Sequence, residues 1–212
     1  MAIFTNKTRL ISAVCACLVV LSFKANASYV DYGTYTTVNG LDWLDLTETA
    51  GMSYNQVSAE LGTGGIFDGW SYATLAQVSA FWDAFGGDSA HYAGWSTQNN
   101  GLFDIIAPLW GDLICDVTRC APGEGQSSIL TADVATTGTH RYAFMYDYFL
   151  SSKVATQDFI VLQAGDWTDA SGDLGYGSAL IRTSLIPIPA AVWLFSSGLL
   201  WLIVIAKRNK SE

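Results

Sequence analysis

The sequence predicts an α+β domain, an antiparallel sheet with two early helices, set between two terminal segments of different character. Three observations carry this reading. Runs rich in Tyr, Thr, Val and Phe recur early and late in the middle of the chain, two helical patterns with N-capping signals lie between them, and long uncharged apolar runs stand near both termini.

Taken in order, the chain opens with Lys7 and Arg9, an apolar stretch over 10–23, and Ala25-Asn26-Ala27. A basic start, an apolar run and small residues flanking one position form a secretory signal, cleaved after Ala27 so that the mature chain starts at Ser28. The partners this implies are the Sec machinery and signal peptidase. Lys24, between the apolar stretch and the cleavage point, leaves an uncleaved anchor as the alternative. Cys15 and Cys17 leave with the leader, and Ser28 stands where a lipoprotein would need cysteine.

Residues 28–185 are enough for one domain with a substantial core. They hold every acidic residue of the chain except Glu212 and four basic ones, Arg119, Arg141, Lys153 and Arg182, a formal charge of about −14. Phosphate binding needs a basic footprint, so nucleic acid is excluded as a partner. The acidity reads as a solvated surface, with cation binding, Ca²⁺ in particular, as the alternative.

Within this domain, 29–38 (YVDYGTYTTV) reads as a strand ending at the tight turn Asn39-Gly40, and 41–46 as its hairpin partner. Ser53 caps a helix over 54–61, in which Tyr54, Val57 and Leu61 share a face. Thr74 and Gln77 form a capping box for a second helix over 75–85. Its residues Leu75, Val78, Phe81, Trp82 and Phe85 fall on one side, which makes it a core helix.

Residues 86–120 read as loop-rich, with a short helix over 102–107 ended by Pro108. An exposed loop follows over 121–129, then strand or turn over 131–139, and strands over 141–150, 159–163 and 178–184. Cys115 and Cys120, so close together in an exported chain, read as a local disulfide that pins a loop; zinc would need further ligands that no mature Cys supplies.

Chemistry-bearing patterns are sparse. His91 and His140 are the only histidines, no G-x-S-x-G elbow accompanies either, and both read as surface or satisfied core residues. Asp166, Asp169 and Asp173 form the densest acidic loop. It lacks the ladder of a calcium loop, so a solvated hairpin loop is the main reading and metal binding the lesser one. Trp95, Trp110 and Trp167 are the candidate exposed aromatics for stacking on sugar rings.

The chain ends with Ile186-Pro187-Ile188-Pro189-Ala190, an uncharged, mostly apolar run over 190–206, and the basic residues Lys207, Arg208 and Lys210. As a helix this run would be roughly 25 Å long, just enough to cross a thin hydrocarbon layer. The basic residues stop it on the cytoplasmic side and place the domain across the membrane.

A short proline motif, one hydrophobic helix and a basic end resemble the PEP-CTERM protein-sorting signal, in its VPLPA variant. Ile186 and Ile188 replace the Val and Leu of that motif with residues of similar bulk. The resemblance implies recognition and removal of the tail by a membrane-embedded exosortase. A second resemblance covers about 50 residues. Gly40-Leu41-Asp42-Trp43, a helix and then Gly69-Trp70-Ser71-Tyr72-Ala73-Thr74 are similar to the T-G-L-x-W and W-R-L-P-T pattern of bacterial extracellular Lcl C-terminal domains, and more remotely of C-type-lectin-like folds. Ser71 and Ala73 depart from the Arg and Pro of that pattern. The lectin-like resemblance implies that the last strand, 178–184, lies beside the first, 29–38.

Two functional expectations follow. One is an exported cell-surface or extracellular-matrix protein, without catalytic residues or a required cofactor, whose lectin-like domain binds a polysaccharide or a partner protein. The other is an extracellular glycan hydrolase that uses paired carboxylates.

Overall fold

A computed structural model describes residues 29–114, 125–147 and 156–184. They form a mixed α+β fold with two five-stranded sheets and few helices. The first sheet holds β1 (Tyr29–Asp31), β2 (Tyr35–Val38), β3 (Leu41–Leu44), β10 (Leu180–Thr183) and β4 (Ser71–Tyr72), in that spatial order and antiparallel throughout. The second runs β5 (Ala93–Ser96), β8 (Asp158–Thr168), β7 (Thr139–Asp147), β6 (Gly125–Thr136) and β9 (Tyr176–Ser178). Its one parallel pair is β6 with β9.

The local signals act where expected. Asn39 and Gly40 both take positive φ, 53° and 81°, the left-handed pair that a two-residue hairpin turn requires between β2 and β3. Ser53 caps α1 (Tyr54–Ala59), and Thr74 caps α2 (Leu75–Ala84), each in a reciprocal capping box with Gln56 and Gln77.

α2 buries Val78, Phe81 and Trp82, while α3 (Leu102–Trp110) buries Leu102, Phe103, Ile106 and Trp110. Both helices contribute to one core with Val38, Trp43 and Ile181 of the first sheet and Ile129, Ala143, Met145 and Ile160 of the second. Trp43, Phe81 and Trp110 form its centre, with ring centroids 4.5 to 5.5 Å apart. Such tilted and edge-on pairs each add about 1 kcal/mol to their area burial.

Several expectations are corrected. The single sheet is two. The last strand does not lie beside the first: β10 pairs with β3 and β4, and β1 stays at the edge. The first strand breaks after Asp31, whose carboxylate accepts from Gly33 N at 2.7 Å. The second stops at Leu44, because Asp45 caps a 3-10 turn over Leu46–Thr49. α3 continues through Pro108 to Trp110. Proline forfeits one backbone bond there, but the buried Ile106 and Trp110 and the bond from Gly111 N to Ala107 O hold the final turn.

The loop expected over 121–129 is, from Gly125 onward, a buried strand between β7 and β9. Its polar residues are satisfied inside the fold: Ser127 Oγ donates to Gly111 O at 2.9 Å. The terminal runs 1–28 and 185–212, and Cys115 and Cys120 with them, lie outside the described residues. Among the described residues no helix is long and apolar enough to cross a membrane.

Candidate ligand-binding face

Strand periodicity builds the candidate site. Along β7, Ala143 and Met145 point into the core, so Tyr142, Phe144 and Tyr146 point to the face turned away from α2 and α3. On β8, Ile160 is buried in the core, and its neighbours Phe159 and Val161 share the outward face. Register then sets the rings in a row: Trp95 lies opposite Phe159, and Phe159 opposite Tyr146. The Trp95 ring sits 5.4 Å from Phe159 and 5.9 Å from Tyr146, with Phe144 5.8 Å from Phe159. All four rings are partly exposed.

Further along the same face, Gly165 lies opposite Tyr142, and a Cβ on it would stand 3.2 Å from that ring. The absence of a side chain at Gly165 leaves room for the tyrosine ring against the strand. Two residues on, Trp167 stacks on Tyr176 at 3.9 Å and 22°, and Tyr176 meets Tyr142 edge-on at 5.2 Å. Trp167 is fixed by its Nε1 donating to Ser171 O at 2.9 Å. Burial, then the neighbouring Tyr142, pushes the Tyr176 phenol up, so it stays a neutral hydroxyl. Phe159 and Trp167 lie opposite Tyr146 and His140, so these two rings stand roughly 20 Å apart by the rise of β7, with Phe144 and Tyr142 between them. Ring faces of this kind stack on the C–H faces of pyranose rings, while phenol hydroxyls exchange hydrogen bonds with sugar hydroxyls.

Of the three candidate tryptophans, the structure brings Trp95 and Trp167 to one face and removes the third. Trp110 is 1% exposed, lies against Trp43 and Phe81, and donates Nε1 to Leu44 O at 3.0 Å. It is a core residue because α3 turns that side inward.

Asp166, Asp169 and Asp173 do not converge. Asp166 faces Arg141 in register, the Asp169 carboxylate lies 2.7 Å from His140 Nδ1, and Asp173 accepts from Gly175 N at 2.8 Å. Among the described residues no three His, Cys, Asp or Glu side chains gather where a metal ion could sit.

Sequence spacing gave no hint of the cluster around His140. Its ring stacks on Tyr54 at 3.6 Å, and Tyr54 stacks on Tyr72 at 4.2 Å, joining α1 and β4 to the second sheet. Tyr72 Oη and Ser178 Oγ share a hydrogen bond at 3.0 Å, and burial pushes the Tyr72 phenol far up. Asp158 is another buried acid, and burial holds its carboxyl above the usual range. Both oxygens are occupied at the start of α3, by Gly101 N at 3.1 Å and Phe103 N at 2.8 Å. It caps that helix from across the fold.

The sorting motif Ile186, Pro187, Ile188, Pro189 and Ala190, the cleavage residues Ala25, Ala27 and Ser28, and the membrane stop Lys207, Arg208 and Lys210 lie outside the described residues. Comparison of the chain with protein-family models, with curated proteins and with solved structures finds no match.

Proposed function

We propose that this is an exported cell-surface or extracellular-matrix protein, processed at its tail by an exosortase-type enzyme, whose α+β domain binds polysaccharide through the outward face of its second sheet. The observation that supports the binding role is the placing of Trp95, Phe159, Tyr146 and Phe144, and of Trp167, Tyr176 and Tyr142, on one sheet face with their rings partly exposed. The leader, the proline motif and the basic-ended apolar run support the route. No cofactor enters this role, and the partners are the Sec machinery, signal peptidase, exosortase, the membrane and the glycan.

Affinity chromatography or electrophoresis in the host's own extracellular polysaccharide tests the reading. If each stacking contact contributes about 1 kcal/mol, Trp95→Ala and Trp167→Ala each weaken retention about five-fold. Unchanged retention in the double variant, with the fold intact, would remove the aromatic face from the function. Turnover of that polysaccharide, abolished by single Asp or Glu substitutions, would establish the hydrolase instead.

A further inference from the structure

Both ends of the described domain leave the first sheet in one row. Tyr29 lies opposite Val38, Val38 opposite Leu41, and Leu41 opposite Thr183. Ser184 N donates to Gly40 O at 2.9 Å, so the chain departs beside the β2–β3 turn. Three strand spacings put the entering and leaving chain roughly 14 Å apart. Only residues 185–189 then separate Ser184 from the apolar run that starts at Ala190. Even fully extended, the six steps from Ser184 to Ala190 reach at most about 22 Å. A domain tethered this closely keeps that end of the sheet beside whatever holds the run.

The surface at that end suits a lipid boundary. An apolar hollow opens between Val38, Asn39 and Leu41 of the hairpin and Gln77, Ala80 and Phe81 of α2, and no charged residue lines it. Beside it Tyr29, 49% exposed, lies 5.4 Å from Phe85. Tyrosine favours the zone between headgroups and acyl chains. In a domain of formal charge about −14, a hollow lined without charge is also the part of this end that an anionic headgroup layer repels least.

We infer that the end of the first sheet formed by the Asn39-Gly40 turn, the hollow against α2 and the Tyr29–Phe85 pair rests on the lipid headgroup layer for as long as the tail is attached. The inference rests on the proposed membrane placement of 190–206. It gives the domain a fixed orientation before release and brings both processing points to the same strip of membrane surface.

The test is photo-cross-linking of the full chain in phosphatidylethanolamine/phosphatidylglycerol vesicles that carry a headgroup-region diazirine lipid, with adducts mapped by mass spectrometry. Adducts at Tyr29, Leu41 and Phe85 are expected several-fold above those at Leu174, which is 73% exposed and lies beside Gly51, beyond the opposite end of β3. Tyr29→Glu combined with Ala80→Glu should remove them while adducts in 190–206 persist. Adducts in 190–206 with none in the domain, or with equal yield at Leu174, would overturn the inference and leave the anchor standing. Adducts absent from 190–206, in a chain that does not float with the vesicles, would overturn the anchor and the inference together. If the end of the sheet cross-links to a co-reconstituted exosortase and never to lipid, the occupant is protein and the lipid assignment fails.

Discussion

Asp42 and Arg182 show how one ion pair is made to matter in an acidic domain. Arg182 Nε donates to Asp42 Oδ2 at 3.0 Å, and its guanidinium lies 4.3 Å from the Trp70 ring and 4.8 Å from Tyr35. Thr37 Oγ1 donates to Asp42 Oδ1 at 2.6 Å. Burial pushes this carboxyl up, but bonds from Thr37, Arg182 and Ser184 outweigh it and hold it below the usual range. A depressed carboxyl stabilises the fold above its unfolded pKa, about 3.9, and the contribution fades as pH falls through the folded value. Urea unfolding from about pH 5 down to about pH 2 should therefore show a steeper loss in the natural chain than in Asp42→Asn. At neutral pH that variant should be about 2 kcal/mol less stable, because Arg182 keeps its charge and half-buried setting without its partner.

The buried tryptophans separate by their N–H groups. Trp110 Nε1 has Leu44 O, whereas Trp82 Nε1, buried among the described residues, has no hydrogen-bond partner. Trp110→Phe should cost about 1–3 kcal/mol beyond its packing loss, since it leaves a buried carbonyl unpaired. Trp82→Phe discards an unpaired donor and should cost only the lost ring volume. Thermal unfolding of the two variants side by side measures the difference.

At the scale of elements, the parts legible in the sequence are those decided within a few residues. Ser53, Gln56, Thr74 and Gln77 act through neighbouring N–H groups, and Asn39-Gly40 through its own φ angles. Thr74→Ala should accordingly lower stability by about 1 kcal/mol in denaturant unfolding, with little loss in Thr74→Ser.

Where distant partners decide, local reading fails. Gly125 to Ser128 is polar and reads locally as loop, yet it is a strand because β7 and β9 flank it. Pro108 reads locally as the end of a helix that the core instead holds together. His140, Tyr54 and Tyr72, and Asp158 with the start of α3, meet only through the fold, so no spacing in the chain foretells them. Of the seven rings of the candidate face, only Trp95 and Trp167 are legible as candidates in the sequence, and their shared face depends on the register of β5, β8 and β7.

The whole molecule carries a formal charge of −9, concentrated as about −14 in residues 28–185. If the outward aromatic face binds glycan, its ligand is an uncharged chain, since a polyuronate or sulfated polymer approaches against that field. Retention on neutral polysaccharide should then change little with salt. A polyanionic one should be excluded at about 10 mM salt and approach only as screening shortens the Debye length. Affinity electrophoresis across an ionic-strength series reads both.

The sequence alone was enough for the acidity of the domain, the capped helices, the hairpin turn and the expectation of a leader and a sorting tail, because each depends on composition or on neighbours in the chain. Only the tertiary structure decided that there are two sheets, that β10 lies beside β3 and β4, that Trp110 is core, and that both ends of the domain leave the first sheet in one row. Those outcomes are choices among long-range pairings, fixed by which apolar faces bury together and which strand edges find partners, and a single chain position holds no record of them.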